Sequence, residues 1–254
     1  MKIQLKTQDI AVIGVCAALY AVVGRLTAGV TFFGVGFLPA VVIPAVFAVL
    51  YGPWVGGIGG AIGIFIRDML VHGNAALSLL AGVPANFLLF FLIGYLSHRN
   101  IDIKKTMIGL AIAAIGLIIP TLVFLPDLTT YTALSSLELI LIFSLTVILS
   151  IVVIAVVALH WKQWRSFAIA AVVAQAAGAG LLSVTVWAVS PLFLSIISVN
   201  GNPFPLSFVI PLFVWTFATE LPFILLVGPP IIKACYKAFP SLRQIGHQKG
   251  EFIE

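Results

Sequence analysis

The sequence predicts an all-α integral membrane protein, a bundle of about eight transmembrane helices with both termini cytoplasmic. Three observations predict it. Of the 254 residues, 62% are hydrophobic and only 8% charged, against about 25% charged in an ordinary soluble domain, and the mean hydropathy is +1.22. Uncharged stretches recur at span length, over 26–66, 69–98, 106–126, 139–161 and 166–219, where about 20 apolar residues cross about 30 Å of hydrocarbon. When these stretches are threaded with the N-terminus inside, the basic residues collect on one side. A soluble globule of this size could not hide so much apolar surface. A cytosolic enzyme, a disordered chain and a nucleic-acid module are excluded, and the net charge of +5 is read as membrane topology.

The runs are continuous rather than alternating, so helices rather than strands satisfy the backbone in lipid. The first span, about 9–27, follows Lys2 and Lys6 as a signal peptide would. No small-residue cleavage site follows it and more spans come after, so it is read as a retained helix. Gly52-Pro53 divides the next stretch into spans at 36–51 and 54–71. Spans at 75–97, 106–125, 136–159 and 166–189 follow. Asn200-Gly201-Asn202-Pro203, with Pro205, breaks the last long stretch ahead of a span at 207–236. Residues 1–254 form a single polytopic domain with a short soluble tail at 240–254. This threading puts eleven of the thirteen basic residues inside, from Lys2 and Lys6 to Arg243 and Lys249. Tyr51, Trp54, Tyr95, Trp161, Trp164 and Tyr236 fall at the inner interface as an aromatic belt.

Small residues are patterned on two helices. Ala17, Ala21, Gly24 and Ala28 share one face of the first, with Gly14 and Ala18 beside them. Such a groove either packs inside the chain or docks another membrane protein. In the third helix Gly52, Gly56 and Gly60 overlap with Gly59 and Gly63, which demands tight packing because each glycine weakens a helix by about 1 kcal/mol relative to Ala. No GxxxxGK[ST] occurs. Any ATP hydrolysis must therefore be a partner's. The glycine-rich segment 29–36, with Phe32 and Phe33, is the candidate for a mobile apolar cap.

Ionisable groups at membrane depth suggest function. Arg67 and Asp68 lie near the outer end of the third helix, about 100° apart, so they need not pair with each other. His72 and Asn74 follow at the outer turn, and Asn86 is near the middle of the fourth helix. Arg25 and Glu138 mark helix ends. Gln175 and Glu220 lie deeper, and Glu220 reads as a structural brace, the partner of a base or a proton site. Trp187 and Tyr131 are placed to stack on an aromatic ligand or to anchor the interface. No HExxH, GxSxG or paired acidic motif is present. Cys16 and Cys235 are far apart and the histidines dispersed, which indicates no metal site, disulfide framework or cofactor.

Thr7-Gln8-Asp9-Ile10-Ala11 leading into Ala17-Ala18-Leu19-Tyr20-Ala21, and Leu50-Tyr51-Gly52-Pro53-Trp54-Val55-Gly56-Gly57-Ile58-Gly59-Gly60-Ala61-Ile62-Gly63, resemble the substrate-binding (S) components of energy-coupling factor (ECF) transporters. The resemblance covers roughly residues 7–97. It implies a small membrane protein that captures a vitamin or similar micronutrient in an outer pocket capped by the first loop, here 29–36. It implies that Ala17 and Ala21 dock a membrane coupling subunit, that a cytosolic ATPase pair supplies energy, and that the subunit topples to deliver its cargo. A six-helix core is usual, so eight spans imply an extra helix pair in the second half. The acidic residue that often follows the glycine-rich helix is offset here to Arg67-Asp68. No cargo-specific signature is present.

The expectation is a transport subunit of the plasma membrane, not an enzyme. It binds a small vitamin-like molecule through Arg67, Asp68, His72 and Asn74, with Asn86 at the base and Phe32, Phe33 and Trp187 as apolar walls. The alternatives are a stand-alone proton-coupled secondary transporter using Glu220 or Asp68, and an intramembrane enzyme.

Overall fold

The computed structural model describes residues 5–29, 31–32, 34–99, scattered positions from 102 to 129, 135–160 and 162–242. Phe33, Tyr131, Trp161, most of the 106–125 span and the tail beyond Leu242 lie outside the described residues. The helices are α1 (Thr7–Leu26), α2 (Val42–Tyr51), α3 (Pro53–Val71), α4 (Ala75–Leu96), α5 (Ser136–His160), α6 (Arg165–Val189) and α7 (Val209–Ala238). Among the described residues, five helices are long and apolar enough to cross a membrane: α1, α3, α4, α6 and α7. Their outward faces are apolar, as Ile10, Val15, Leu19, Val22 and Leu26 show on α1, because lipid rather than water meets them. The chain is an all-α multi-pass membrane protein.

Local chemistry sets the ends. The Lys6 backbone N–H donates to Asp9 Oδ2 at 3.0 Å, closing the first turn of α1. Gly52, at φ +96°, stops α2, and Pro53 opens α3 in the next residue. Glu138, placed by sequence at a helix end, caps α5: its Oε2 accepts from the Ser135 N–H at 2.7 Å, and its own N–H donates to Ser135 Oγ at 3.3 Å.

The element over the expected 36–51 span is shorter than a membrane crossing. A 3-10 turn at Pro39–Val41 runs into α2, and Pro39–Tyr51 amounts to about 20 Å of helix. Proline starts it and glycine ends it, so it sits inside the bundle, with Ala45 and Ala48 fully buried. Protein takes the place of lipid around it. Two short strands, β1 (Thr31–Phe32) and β2 (Val35–Gly36), pair antiparallel in the loop between α1 and α2. The sequence reading contained no strands, and this hairpin lies in that loop rather than in a span.

The glycines of α3 make it the hub. A Cβ at Gly59 would lie 2.8 Å from Cys16 Sγ, and one at Gly63 2.8 Å from the Tyr20 ring, so α1 rests directly on the α3 backbone. A Cβ at Gly56 would overlap Ala48 of α2, and one at Gly60 the ring of Phe90 on α4. Gly178 continues the scheme against Leu89, joining α6 to α4. Such close approach trades helix propensity for interhelical van der Waals contact. α7 stays helical through Pro222, Pro229 and Pro230, residues that membrane helices tolerate better than soluble ones do.

Candidate functional site

At the end of the bundle where α1 and α3 finish, a cavity opens between α3, α4, α6 and α7, beneath the β1–β2 hairpin. Counted out through its open mouth, solvent included, the space it lines is about 590 Å³. Arg67, Asp68, His72, Asn86 and Glu220 all line it. Polar side chains from three helices thus meet at membrane depth.

Asp68 is the organising anion. Its Oδ1 accepts from Arg67 Nη1 at 3.0 Å, and its Oδ2 accepts from Ser78 Oγ at 2.7 Å. His72 Nε2 stands 3.8 Å from the same Oδ1, which is too long for a hydrogen bond. Both members of the Arg67–Asp68 pair are only 6% exposed. Ser78 opens a π-helical turn, Ser78–Gly82. Within that turn Gly82 gives room: a Cβ there would lie 2.8 Å from Asp68 Oδ2.

Two further polar sets complete the walls. Tyr20 donates to Asn86 Oδ1 at 2.7 Å, while Asn86 Nδ2 donates to the Gly82 carbonyl at 2.9 Å. Gln175 Nε2 donates to Glu220 Oε2 at 2.7 Å and to the Thr216 carbonyl at 3.2 Å, tying α6 to α7. Glu220 is therefore braced by an amide and also faces the cavity.

The roof is built from two loops. Phe32 stacks on Trp215 of α7 with ring centroids 5.5 Å apart, and Trp215 Nε1 donates to the Val35 carbonyl at 3.1 Å. Gly34, at φ +83°, lets the hairpin tip meet the second loop: a Cβ there would lie 2.9 Å from the Ile196 carbonyl. Gly36 sits on Arg67, where a Cβ would overlap Nη2.

The structure brings Arg67, Asp68, His72 and Asn86 to one cavity, and it pairs Arg67 with Asp68. Asn74 stands outside the lining and caps α4, its Oδ1 accepting from the Leu77 N–H at 2.9 Å. Phe32 belongs to the roof. Trp187 packs, partly buried, against the cluster of Ile197, Phe204 and Phe208. Ala17 and Ala21, expected on a docking face, are 3% and 2% exposed, turned inward against α3. The small residues that α1 leaves open are Ala11, Gly14 and Ala18. Sequence reasoning missed Ser78 and Trp215, which carry no signal beyond being polar or aromatic in apolar runs.

Comparison with known proteins adds the lineage. A family model described as "ECF-type riboflavin transporter, S component" matches residues 4–163. A UPF0397 protein of Aliivibrio salmonicida (strain LFI1238) is 31% identical over 121 residues, which are 45% of this chain and 66%, just under two thirds, of that relative. No solved structure matches. The family match stops before α6 and α7, which supply Gln175, Trp215 and Glu220.

Proposed function

The chain belongs to the family of ECF-type transporter S components, and from that premise we propose that it is the substrate-capture subunit of an ATP-driven importer. The family is one of transporter components, not of enzymes. The protein sits in the plasma membrane with both termini cytoplasmic and the cavity facing outward. It binds a small water-soluble vitamin. Riboflavin, named in the description of the matching family model, is the first candidate. A membrane coupling subunit and a cytosolic ATPase pair supply the energy.

One observation carries this reading. A buried arginine, held by a buried carboxylate, stands in a roofed cavity with Nε and Nη2 unpartnered. Buried polar groups are normally satisfied, and an orphaned guanidinium edge beside a cavity supports a ligand as the missing partner. Arg67, His72 and Asn86 contact that ligand, Asp68 positions Arg67, and the hairpin closes over the top.

The test is mass spectrometry of small molecules retained by the purified protein, followed by uptake assays with and without the partner subunits. A retained vitamin-like molecule and uptake that needs the ATPase pair are expected. Gradient-driven uptake by the single chain in liposomes would overturn the capture-subunit reading in favour of a secondary transporter.

A further inference from the structure

The π turn in α4 departs from regular helix for a local reason. The Val83 N–H donates to the Ser78 carbonyl, five residues back rather than four. Pro84 follows. In a tight α turn its ring presses on the carbonyl four residues earlier, and it has no N–H to give. A wider turn relieves the ring and forfeits no bond that Pro84 could have made. It also sets the register of the cavity wall. Over the eight steps from Ser78 to Asn86, regular α-helix would leave the two residues about 80° apart, whereas the extra residue of the π turn brings them within about 20° of one line. Both therefore line the cavity.

The segment ahead of the turn is lightly held. Ala75, Ala76, Leu79 and Leu80 face outward, the two leucines 57% and 47% exposed, while Leu77, Ser78 and Ala81 face the protein. Gly73, at φ +69° and with room for a Cβ that would meet nothing within 4 Å, is a free joint between α3 and α4. Asn74 caps the segment from within, through the Leu77 N–H, so the cap turns with it. The bond that fixes the register is the one from Ser78 Oγ to Asp68 Oδ2 at 2.7 Å.

We propose that Ser78–Gly82 is a two-register switch in the cavity wall and that the purified chain samples both registers. In the π register Ser78 is latched on Asp68. In the α register the segment from Asn74 to Ser78 turns by about 100° around the helix axis, Ser78 leaves the lining, and Leu79 takes its place. The switch decides whether Asp68 Oδ2 is spent on Ser78 or open to the cavity. It operates whatever the cavity binds, and so stands apart from the capture reading. Single π turns gather at functional sites, and this one forms the wall of the cavity.

Deleting Leu80 removes the extra residue, so a continuous α-helix then keeps Ser78 and Asn86 in line without a π turn. Nitroxide labels at Ala75→Cys and Leu192→Cys, both at exposed sites, with Cys235→Ser, report the rotation by pulsed electron–electron distance measurement. Two distances are expected in the otherwise intact chain, one of them the single distance of the deletion variant. The same distribution in both chains overturns the inference. A rescue experiment decides independently, including where the deletion variant does not fold. Ser78→Ala is expected to lower the thermal midpoint, and adding Leu79→Ser to recover it, because only in the α register does residue 79 reach Asp68. With a fixed π turn the added serine faces lipid, so failure to recover the midpoint also overturns the switch.

Discussion

Arg67 and Asp68 are consecutive residues of one helix, yet Arg67 Nη1 and Asp68 Oδ1 meet at 3.0 Å. Neighbours on a helix diverge by about 100°, but the long arginine stem folds back across that angle. The pair is buried, so its worth lies in full satisfaction of the carboxylate rather than in Coulomb attraction alone. Asp68 achieves this through its second oxygen on Ser78, and the cost of breaking the set follows.

Ser78→Ala removes the 2.7 Å hydrogen bond to Asp68 Oδ2. Ser78 is buried. A buried acceptor that loses its partner costs about 1–3 kcal/mol. The expected result is a lower thermal unfolding midpoint in detergent, together with weaker ligand binding as Arg67 loses its anchor. An unchanged midpoint would mean that the carboxylate is satisfied by something else.

Gly60→Ala places a methyl group into the ring of Phe90, which is itself fully buried and edge-on to Tyr20 at 5.7 Å. Overpacking of this kind costs about 1–3 kcal/mol. Gly14→Ala is the matched control, since a Cβ there meets nothing within 4 Å. Melting curves of the two variants are expected to diverge, Gly60→Ala falling and Gly14→Ala holding or rising.

This contrast shows what the chain makes legible. The spacing of Gly56, Gly59, Gly60 and Gly63 announces a crowded helix, and α3 is the hub because these glycines let Ala48, Cys16, Phe90 and Tyr20 press against its backbone. Arg67, Asp68, His72 and Asn86 are visible as polar residues within apolar runs, where lipid tolerates few. The rest depends on contacts that bridge distant positions. Gln175 reaches Glu220 across 45 residues and Trp215 reaches Val35 across 180, so neither Glu220 as a cavity wall nor the roof anchor could be read locally. The length of α2 was hidden for another reason: hydropathy does not distinguish lipid from protein as the medium around an apolar helix.

Trp215 fastens the roof in two ways, by stacking on Phe32 and by donating to the Val35 carbonyl. Trp215→Phe keeps an aromatic ring and deletes the donor. One neutral hydrogen bond contributes about 0.5–1.5 kcal/mol, so ligand dissociation is expected to accelerate several-fold. Stopped-flow displacement of bound ligand measures it. A dissociation rate equal to wild type would show that the hairpin is held without this bond.

If the chain is the capture subunit proposed above, the orientation of α1 decides where its coupling subunit can approach. Ala17 and Ala21 are buried against α3, and the Ala17 carbonyl lies 3.0 Å from where a Gly63 Cβ would be. A larger side chain at position 17 must therefore push α1 off α3. Ala18, one residue on and about 100° around the helix, is exposed in line with Gly14. That open small-residue stripe is where another membrane helix could approach closely. Ala18→Leu is expected to leave the unfolding midpoint and ligand affinity unchanged while abolishing copurification with the coupling subunit and ATPases. Ala17→Leu is expected to lower the midpoint by an overpacking cost of about 1–3 kcal/mol. If Ala18→Leu still assembles and Ala17→Leu remains stable but fails to assemble, the partner meets the other face of the helix, and α1 must rotate before it docks.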